Sequence, residues 1–424
     1  MVPPERFALD NPAVHQFGQG ASVPLRDAVT SAPWHVRTHR GDDAIDRLTP
    51  LWADLLRRVP DASAFSTPGW ARAWWATYGR RREAVLVEIA GDGGETVGLL
   101  PLMLTRVPGL GTRVLEMLGG APADWHIWVR NPHGLGFKYV NELLVEPGHE
   151  LYAVEALRGW LAAREVAWDA LRFTCVPAGS ALAQRVGEWA AGWQPREQPF
   201  QRLRVDTRQS WEEYRASLSK RQRQDTRYKP NELTRAVGAE LRLDVVSSPG
   251  GGLGAAVAEF TELFERRWTA RGKPGLLPGE AQMYRHLAAE EPGMVVYRLL
   301  GGDRVLASQI GFDDGRRYTP YNYAFDPEFS EKSPSHVLSQ MIIEHCCGDG
   351  HESVEQLTVA MGRHWSKDHT TTMTLEATAP GALSRVRAGA LRRTGSAIRG
   401  AQTTTAGNRA RAGLARVAAT LRRR

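Results

Sequence analysis

The sequence predicts an α/β protein made of two tandem units, each a mixed β-sheet flanked by helices. Three observations carry that expectation. The 424 residues are two to three times a usual domain of about 150 residues. The same order, a helix, a hairpin, a further strand and a second helix, occurs once in each half. With 42% hydrophobic residues, 24% charged residues and 14 Trp, the chain has apolar surface for sizeable cores, which excludes a disordered or fibrous protein. The expected divisions are an N-terminal extension over 1–44, a first unit over 45–199, a second over 200–376 and a basic tail over 377–424.

In the first unit Thr67 caps a helix that begins at Pro68, where the missing proline N–H costs nothing. Trp70, Trp74 and Tyr78 follow at intervals of four, and Gly79 closes the helix. AVLVEIA, the turn GDGG and ETVGLLPLML read as a hairpin. VNELLVE then leads into a helix beginning near His149.

The second unit repeats the order. Val257, Phe260, Phe264 and Trp268 lie on one face of a helix that ends at Gly272. MVVYRLL, GGD and RVLASQIGF form the second hairpin, and the strand RRYTPYNYAF precedes a helix over 337–345. Between the units, Ser210 and Glu213 make a capping box. Trp211, Tyr214 and Leu218 supply an apolar face, and Lys220, Arg221, Arg223, Arg227 and Lys229 a positive one. A solvated helical face and a phosphate- or acceptor-binding face both fit that cluster. Pro230 is expected to bend or interrupt the helix.

The net charge of +7 is unevenly spread. Residues 377–424 hold 11 Arg and no acid, so removing those 11 positive charges leaves −4 for the rest. The tail reads as two weakly amphipathic helical pieces divided at 402–407, and as a solvated extension or a contact with an anionic membrane surface. The longest clean apolar run of the whole chain, Val97 to Leu104, contains Pro101 and has eight residues, against about 20 for a membrane span. The first residues lack the apolar stretch of a secretory signal, which makes the cytoplasm the expected compartment. Cys175, Cys346 and Cys347 have neither the number nor the spacing of a disulfide framework or zinc site, and are expected reduced and mostly buried.

FSTPGWARAWWATYG, VGLLPL, SWEEYRASLSKRQRQDTRY, FERRWTARG and VLASQIGF, in this order, resemble the GNAT-fold acyltransferases of the CelD-like, FemAB-related type. The resemblance covers roughly residues 45–375. It implies two GNAT-like domains and transfer of an acyl group, most often from acyl-coenzyme A, to an amine or hydroxyl of a small-molecule, glycan-precursor or envelope acceptor. Two other readings go with it: a FemAB-like transferase that takes its acyl group from aminoacyl-tRNA, and a catalytically weak binding or scaffold protein. Ser335 stands where the family pattern S-P-G-x-x-L has glycine, and Ser366 where G-x-x-x-Y-K has tyrosine, while Gly362 and Lys367 match.

Acyl transfer from a thioester needs a neutral nucleophile, stabilisation of the carbonyl oxygen and a proton for the leaving thiolate. The resemblance places these on the strand containing Pro320, which cannot donate to a ladder and so fits a bulged or edge strand. Tyr321 and Tyr323 share a face of a regular strand, and either phenol is a candidate thiolate acid or a packing aromatic. His336, at the helix start, is a candidate base or a capping residue. Lys332, Ser333, Ser335 and Val337 are the candidate pyrophosphate contacts through side chains and helix-terminal N–H groups, although Ser and Pro are also plain helix-start signals. Arg221, Arg223, Lys367 by its family position, and Asp124, beside Trp125 and His126, are the candidate acceptor contacts. The interval from His126 to His133 is no metal signature, and no metal is expected.

Overall fold

The computed structural model describes residues 35–124, 140–186, 194–247, 251–272, 275–356, 364–366 and 369–401. The N-terminal half runs β1 (His35–Arg40), α1 (Ala44–Arg58), α2 (Pro68–Tyr78), β2 (Arg82–Ala90), β3 (Thr96–Arg106), β4 (Arg113–Met117), β5 (Leu144–Val145), α3 (Glu150–Ala163), β6 (Ala170–Pro177) and α4 (Ala181–Val186). β7 (Gln194–Asp206), α5 (Trp211–Ser217) and α6 (Lys220–Val237) connect it to β8 (Leu241–Ser247), α7 (Leu253–Thr269), α8 (Glu280–Glu290), β9 (Met294–Gly301), β10 (Arg304–Asp313) and β11 (Arg317–Phe325). α9 (Pro334–Gly348), β12 (Ser353–Gln356), β13 (His369–Thr378) and α10 (Ala382–Ala401) complete the order.

Both hairpins form as expected, β2 with β3 and β9 with β10. The two units do not keep separate sheets. One 13-stranded sheet runs β1-β2-β3-β4-β6-β13-β7-β12-β11-β10-β9-β8, with β5 on β3. It is mixed, because β4–β6 and β11–β12 are parallel pairs. The seam is the antiparallel pair β7 and β13, of which β13 also joins β6 and β7 also joins β12. The expected boundary at residue 199 therefore falls inside β7. Alternation shows that a segment is a strand but not which strand it will meet.

α2 explains its own motif. The Thr67 hydroxyl accepts from the Trp70 N–H and donates to the Glu291 carboxylate at 2.5 Å, across more than 200 residues of chain. A Cβ on Gly69 would lie 2.5 Å from Glu291 Oε2 and 2.8 Å from the Glu290 carbonyl oxygen, so only glycine admits the end of α8 here. Trp70 and Trp74 then enter a core shared with Phe260, Phe264, Tyr284, Phe312 and Tyr321 of the other half. The opposite face of the sheet carries two further cores, one under α3 and α4 and one under α9.

Two elements differ from expectation. The basic segment forms two helices, α5 and α6, because Ser219 and Gln222 make a second capping box beside that of Ser210 and Glu213, with Leu218 extended between them. Pro230 lies inside α6, which continues through it. The first piece of the tail is not a solvated extension: Ala388 of α10 packs with Val107, Val114, Ala123 and Ala170. Ser384 Oγ donates to Asp169 Oδ1 at 3.0 Å. Burial pushes the Asp169 carboxyl up, but the Arg113 side chain and N–H, with Ser384, hold it below its ordinary value. The second tail piece, 402–424, lies outside the described residues.

Truncation after Pro380 therefore removes a packed helix and a partner of a buried carboxylate, and is expected to lower stability by about 1–3 kcal/mol. Truncation after Ala401 is expected to leave the urea midpoint unchanged. Equal midpoints for both truncated chains would refute the docking of α10.

Candidate active site

The fourth strand of the C-terminal half departs from regularity on both sides. Against β10, Ile310 faces Asn322 while Gly311 faces Pro320, which makes Tyr321 the extra residue of a β-bulge. Against β12, β11 pairs only at Arg317 with Ser353 and Tyr318 with Val354, whereas β12 stays paired with β7 as far as Gln356. Thr319 and Pro320 do not go on to pair with Glu355 and Gln356, so the two parallel strands part after Tyr318 and Val354. Gly311 takes part in this geometry, since a Cβ there would sit 2.4 Å from the Tyr318 ring.

The bulge breaks the alternation of side chains. Tyr321 and Asn322 both reach Tyr284, the first by ring contact at 6.2 Å and the second through Asn322 Nδ2 donating to the Tyr284 hydroxyl at 2.9 Å. Tyr323 lies against the core under α9 instead. The expectation that Tyr321 and Tyr323 share a face is thus corrected by one inserted residue. Tyr321 is caged by Phe65, Trp70 and Phe312 at ring-centroid distances of 5.8, 5.4 and 5.8 Å. The Tyr284 hydroxyl donates to Glu280 Oε1 at 2.5 Å, and burial pushes that carboxyl up to about 7 against the downward pull of its hydrogen bonds. The main chain of Tyr323 is satisfied locally: its N–H donates to Asn322 Oδ1 at 2.8 Å, and its carbonyl accepts from Arg267 Nη1 at 2.9 Å.

The turn Pro327–Lys332, capped by Asp326, leads to Ser333 in the left-handed region at φ 54° and to Pro334 at the first position of α9. The N–H groups of His336 and Val337 both donate to the Ser333 carbonyl, at 2.9 and 3.2 Å, and the Val337 side chain is core. Ser335 is half-buried, and its carbonyl accepts from Ser339 Oγ. Lys332 Nζ stands 3.3 Å from Glu232 Oε1. His336 stacks on Trp365 at 4.7 Å and meets the edge of His364 at 4.4 Å. Burial, then the charge of Lys229 and the neighbouring His364, pushes its imidazole down to about 3, so it is a weak proton acceptor near neutrality.

The candidate acceptor contacts are not brought together. Both Asp124 carboxylate oxygens accept from Arg82 Nη2 at 2.7 Å. Arg223 donates to the carbonyls of Ala216 and Leu218 and so closes α5, and Arg221 is exposed on α6. Lys367, Gly362, Trp125, His126 and His133 lie outside the described residues. Among the described residues no group of three or more His, Cys, Asp or Glu is arranged to hold a metal ion.

A cavity of about 270 Å³ lies where α1 and the segment before α2 face the rim of the opening, with Thr67, Glu291, Asp313, Thr319 and Glu355 among its lining. The sequence reading missed these acids. The one signal among them is a carboxylate that ends an apolar stretch, as Asp313 does in IGFD of β10. Burial pushes the Glu291 carboxyl up. The equivalent opening of the N-terminal half is filled by its own chain. β4 and β6 pair from Val114–Ala170 to Glu116–Arg172, after which the Asn141 N–H donates to the Cys175 carbonyl at 2.9 Å and Asn141 Nδ2 to the Thr174 carbonyl at 2.7 Å.

Residues 220–363 match the family model of an acetyltransferase (GNAT) domain. No curated protein matches the chain. Among solved structures the chain is similar to FemX, at 13% identity and a TM-score of 0.55, over 78% of this chain and 96% of that one. It is also similar to a tandem GNAT protein from the clavulanic acid biosynthesis pathway (13%, TM-score 0.43, 82% and 100%) and to L-PGS from Bacillus licheniformis (9%, TM-score 0.47, 81% and 96%). Residues 220–363 thus form a GNAT acetyltransferase domain, and the chain shares the fold of FemX.

His351, buried, holds Asp313 at the cavity rim with Nε2 3.0 Å from both carboxylate oxygens. The hydrogen bond to Asp313 raises the imidazole above 6.5. Burial pushes Asp313 up, but its bond to His351, the Gly315 N–H and the His351 charge together hold it below 3.8. The His351 contribution is complete below 6.5 and is lost as pH rises through the raised value; that of Asp313 is complete above 3.8 and is lost as pH falls. His351→Asn is therefore expected to cost about 1–2 kcal/mol at about pH 5, with the gap from wild type shrinking toward about pH 9. A gap constant over that range in urea titrations would contradict the ion pair.

Proposed function

We propose that the chain transfers an acyl group from acyl-coenzyme A to an amine or hydroxyl of a small-molecule, glycan-precursor or envelope acceptor. The observation that carries the reading is the separation of β11 from β12 after Tyr318 and Val354, beside the turn that enters α9. A strand released from its neighbour offers main-chain groups to an extended, amide-bearing arm. Tyr323, on the released stretch, is the favoured thiolate acid, and Tyr321 chiefly maintains the bulge. Glu355, on the facing strand and lining the cavity, is better placed than His336 to take the acceptor's proton. Lys332 and Ser335 remain the candidate contacts of the donor's phosphates, with Lys332 drawn from Glu232. A location in the cytoplasm, with the basic tail on an anionic membrane surface, accords with this chemistry; no helix among the described residues is long and apolar enough to cross a membrane.

Aminoacyl-tRNA is the second donor reading, favoured by the exposed cations Lys220, Arg221 and Arg227 along α6. Acceptor-dependent release of free thiol from acyl-coenzyme A tests the first reading, and transfer from charged tRNA with no thiol released would replace it. Tyr323→Phe is expected to reduce turnover by about 100-fold with little change in donor affinity. Glu355→Gln is expected to lower turnover most at low pH, where the acceptor is protonated. Normal turnover in both variants would remove these roles.

A further inference from the structure

α7 carries a buried cation that no acid among the described residues meets. Arg267 is 5% exposed. Its Nη1 donates to the Tyr323 carbonyl and its Nη2 lies 3.4 Å from the Tyr323 hydroxyl, while Nε is buried without a partner. The guanidinium carbon sits 4.9, 4.5 and 4.4 Å from the ring centroids of Trp268, Tyr323 and Phe325. Two residues past the end of α7, Arg271 approaches the same Trp268 and Phe325 rings at 5.9 and 5.5 Å from the exposed side. Among the described residues neither guanidinium meets a carboxylate. The other poorly exposed arginines do: Arg82 pairs with Asp124, Arg172 with Glu116, and Arg317 with Asp314.

A guanidinium taken out of water without a counterion is costly, and aromatic faces offset only part of that cost. Arg267 has five N–H donors and uses two. Its desolvation is consistent with a pKa below the ordinary arginine value. It also sits beside Tyr323, on the part of β11 beyond its last pair with β12. α7 comes to that stretch from the layer shared with the N-terminal half, whereas the turn Pro327–Lys332 leads into α9 on the opposite face. The guanidinium nevertheless reaches the Tyr323 and Phe325 rings, so an anion at Arg267 would lie beside the Tyr323 hydroxyl.

We propose that Arg267, with Arg271 beside it, binds the anionic group, a carboxylate or a phosphate, of the acceptor. This rests on the acyl-transfer reading of the opening for the word acceptor alone, because the site can be probed with no acyl donor present. Inorganic phosphate and acetate, each titrated into the full-length chain at constant ionic strength, are expected to bind saturably in calorimetry. Saturation by phosphate alone or by acetate alone identifies the group, and either supports the site. Arg267→Met is expected to weaken that binding about 10-fold or more, the loss of one charge-assisted hydrogen-bonding group. Lys332→Glu removes the candidate phosphate contact of the donor loop and is expected to leave saturable binding that Arg267→Met still weakens. Absence of saturable binding to wild type, unchanged affinity in Arg267→Met, or loss in Lys332→Glu would overturn the proposal, the last by assigning the anion to the donor loop. Should Arg267→Met fail to fold, the exposed Arg271→Gln decides: weaker anion binding supports the pair, and unchanged affinity overturns it.

Discussion

The aromatic cage around Tyr321 is the contact on which the rest of the structure depends. A bulged strand that has left its neighbour loses ladder hydrogen bonds and is unstable unless packing fixes it. Here Phe65 and Trp70 of the N-terminal half close over the inserted residue together with Phe312 of β10. Each such aromatic pair adds about 0.5–1.5 kcal/mol beyond its buried area. The N-terminal half thereby acts as the support that keeps a strand of the other half open. Its own corresponding opening is filled by Asn141.

The polar interior serves the same geometry. Asn322, Tyr284 and Glu280 form a chain of hydrogen bonds from the bulge to a fully buried carboxyl, so the released strand is held by directional bonds as well as by rings. Glu291 reaches across to Thr67 at the start of α2, with Gly69 giving it room. A carboxylate at a helix N-terminus is stabilised by the helix dipole, and it is the helix carrying Trp70 that is fixed. The halves are joined by one sheet, one aromatic core and one capping contact, with the candidate site where the three meet.

Much of the fold was legible in the sequence where the signal is local. Thr67 with Pro68, the capping box at Ser210, both hairpins and the irregularity at Pro320 each follow from the chemistry of a few adjacent residues. What could not be read depends on partners far away in the chain. Nothing local shows that β7 lies beside β13, that Asn141 fills one opening, or that Ala388 docks on Val114. The candidate site divides in the same way. Tyr321, Tyr323 and the turn before α9 are candidates that adjacent residues of one strand suggest, but one inserted residue reverses the expected sharing of a face. His336 reads as a poised base until Trp365 and His364 bury it. Glu291, Asp313, Glu355 and Arg267 matter because of what they face, and a single sequence does not show it.

The central claim is that the acyl donor lies along the released stretch of β11. Hydrogen–deuterium exchange of the full-length chain with and without acetyl-coenzyme A tests it most directly. The account predicts that the donor slows exchange of amides within Thr319–Phe325 and at the start of α9, and leaves the segment around Asn141 and Cys175 unchanged. Protection at Asn141 and Cys175, with none along β11, would contradict it.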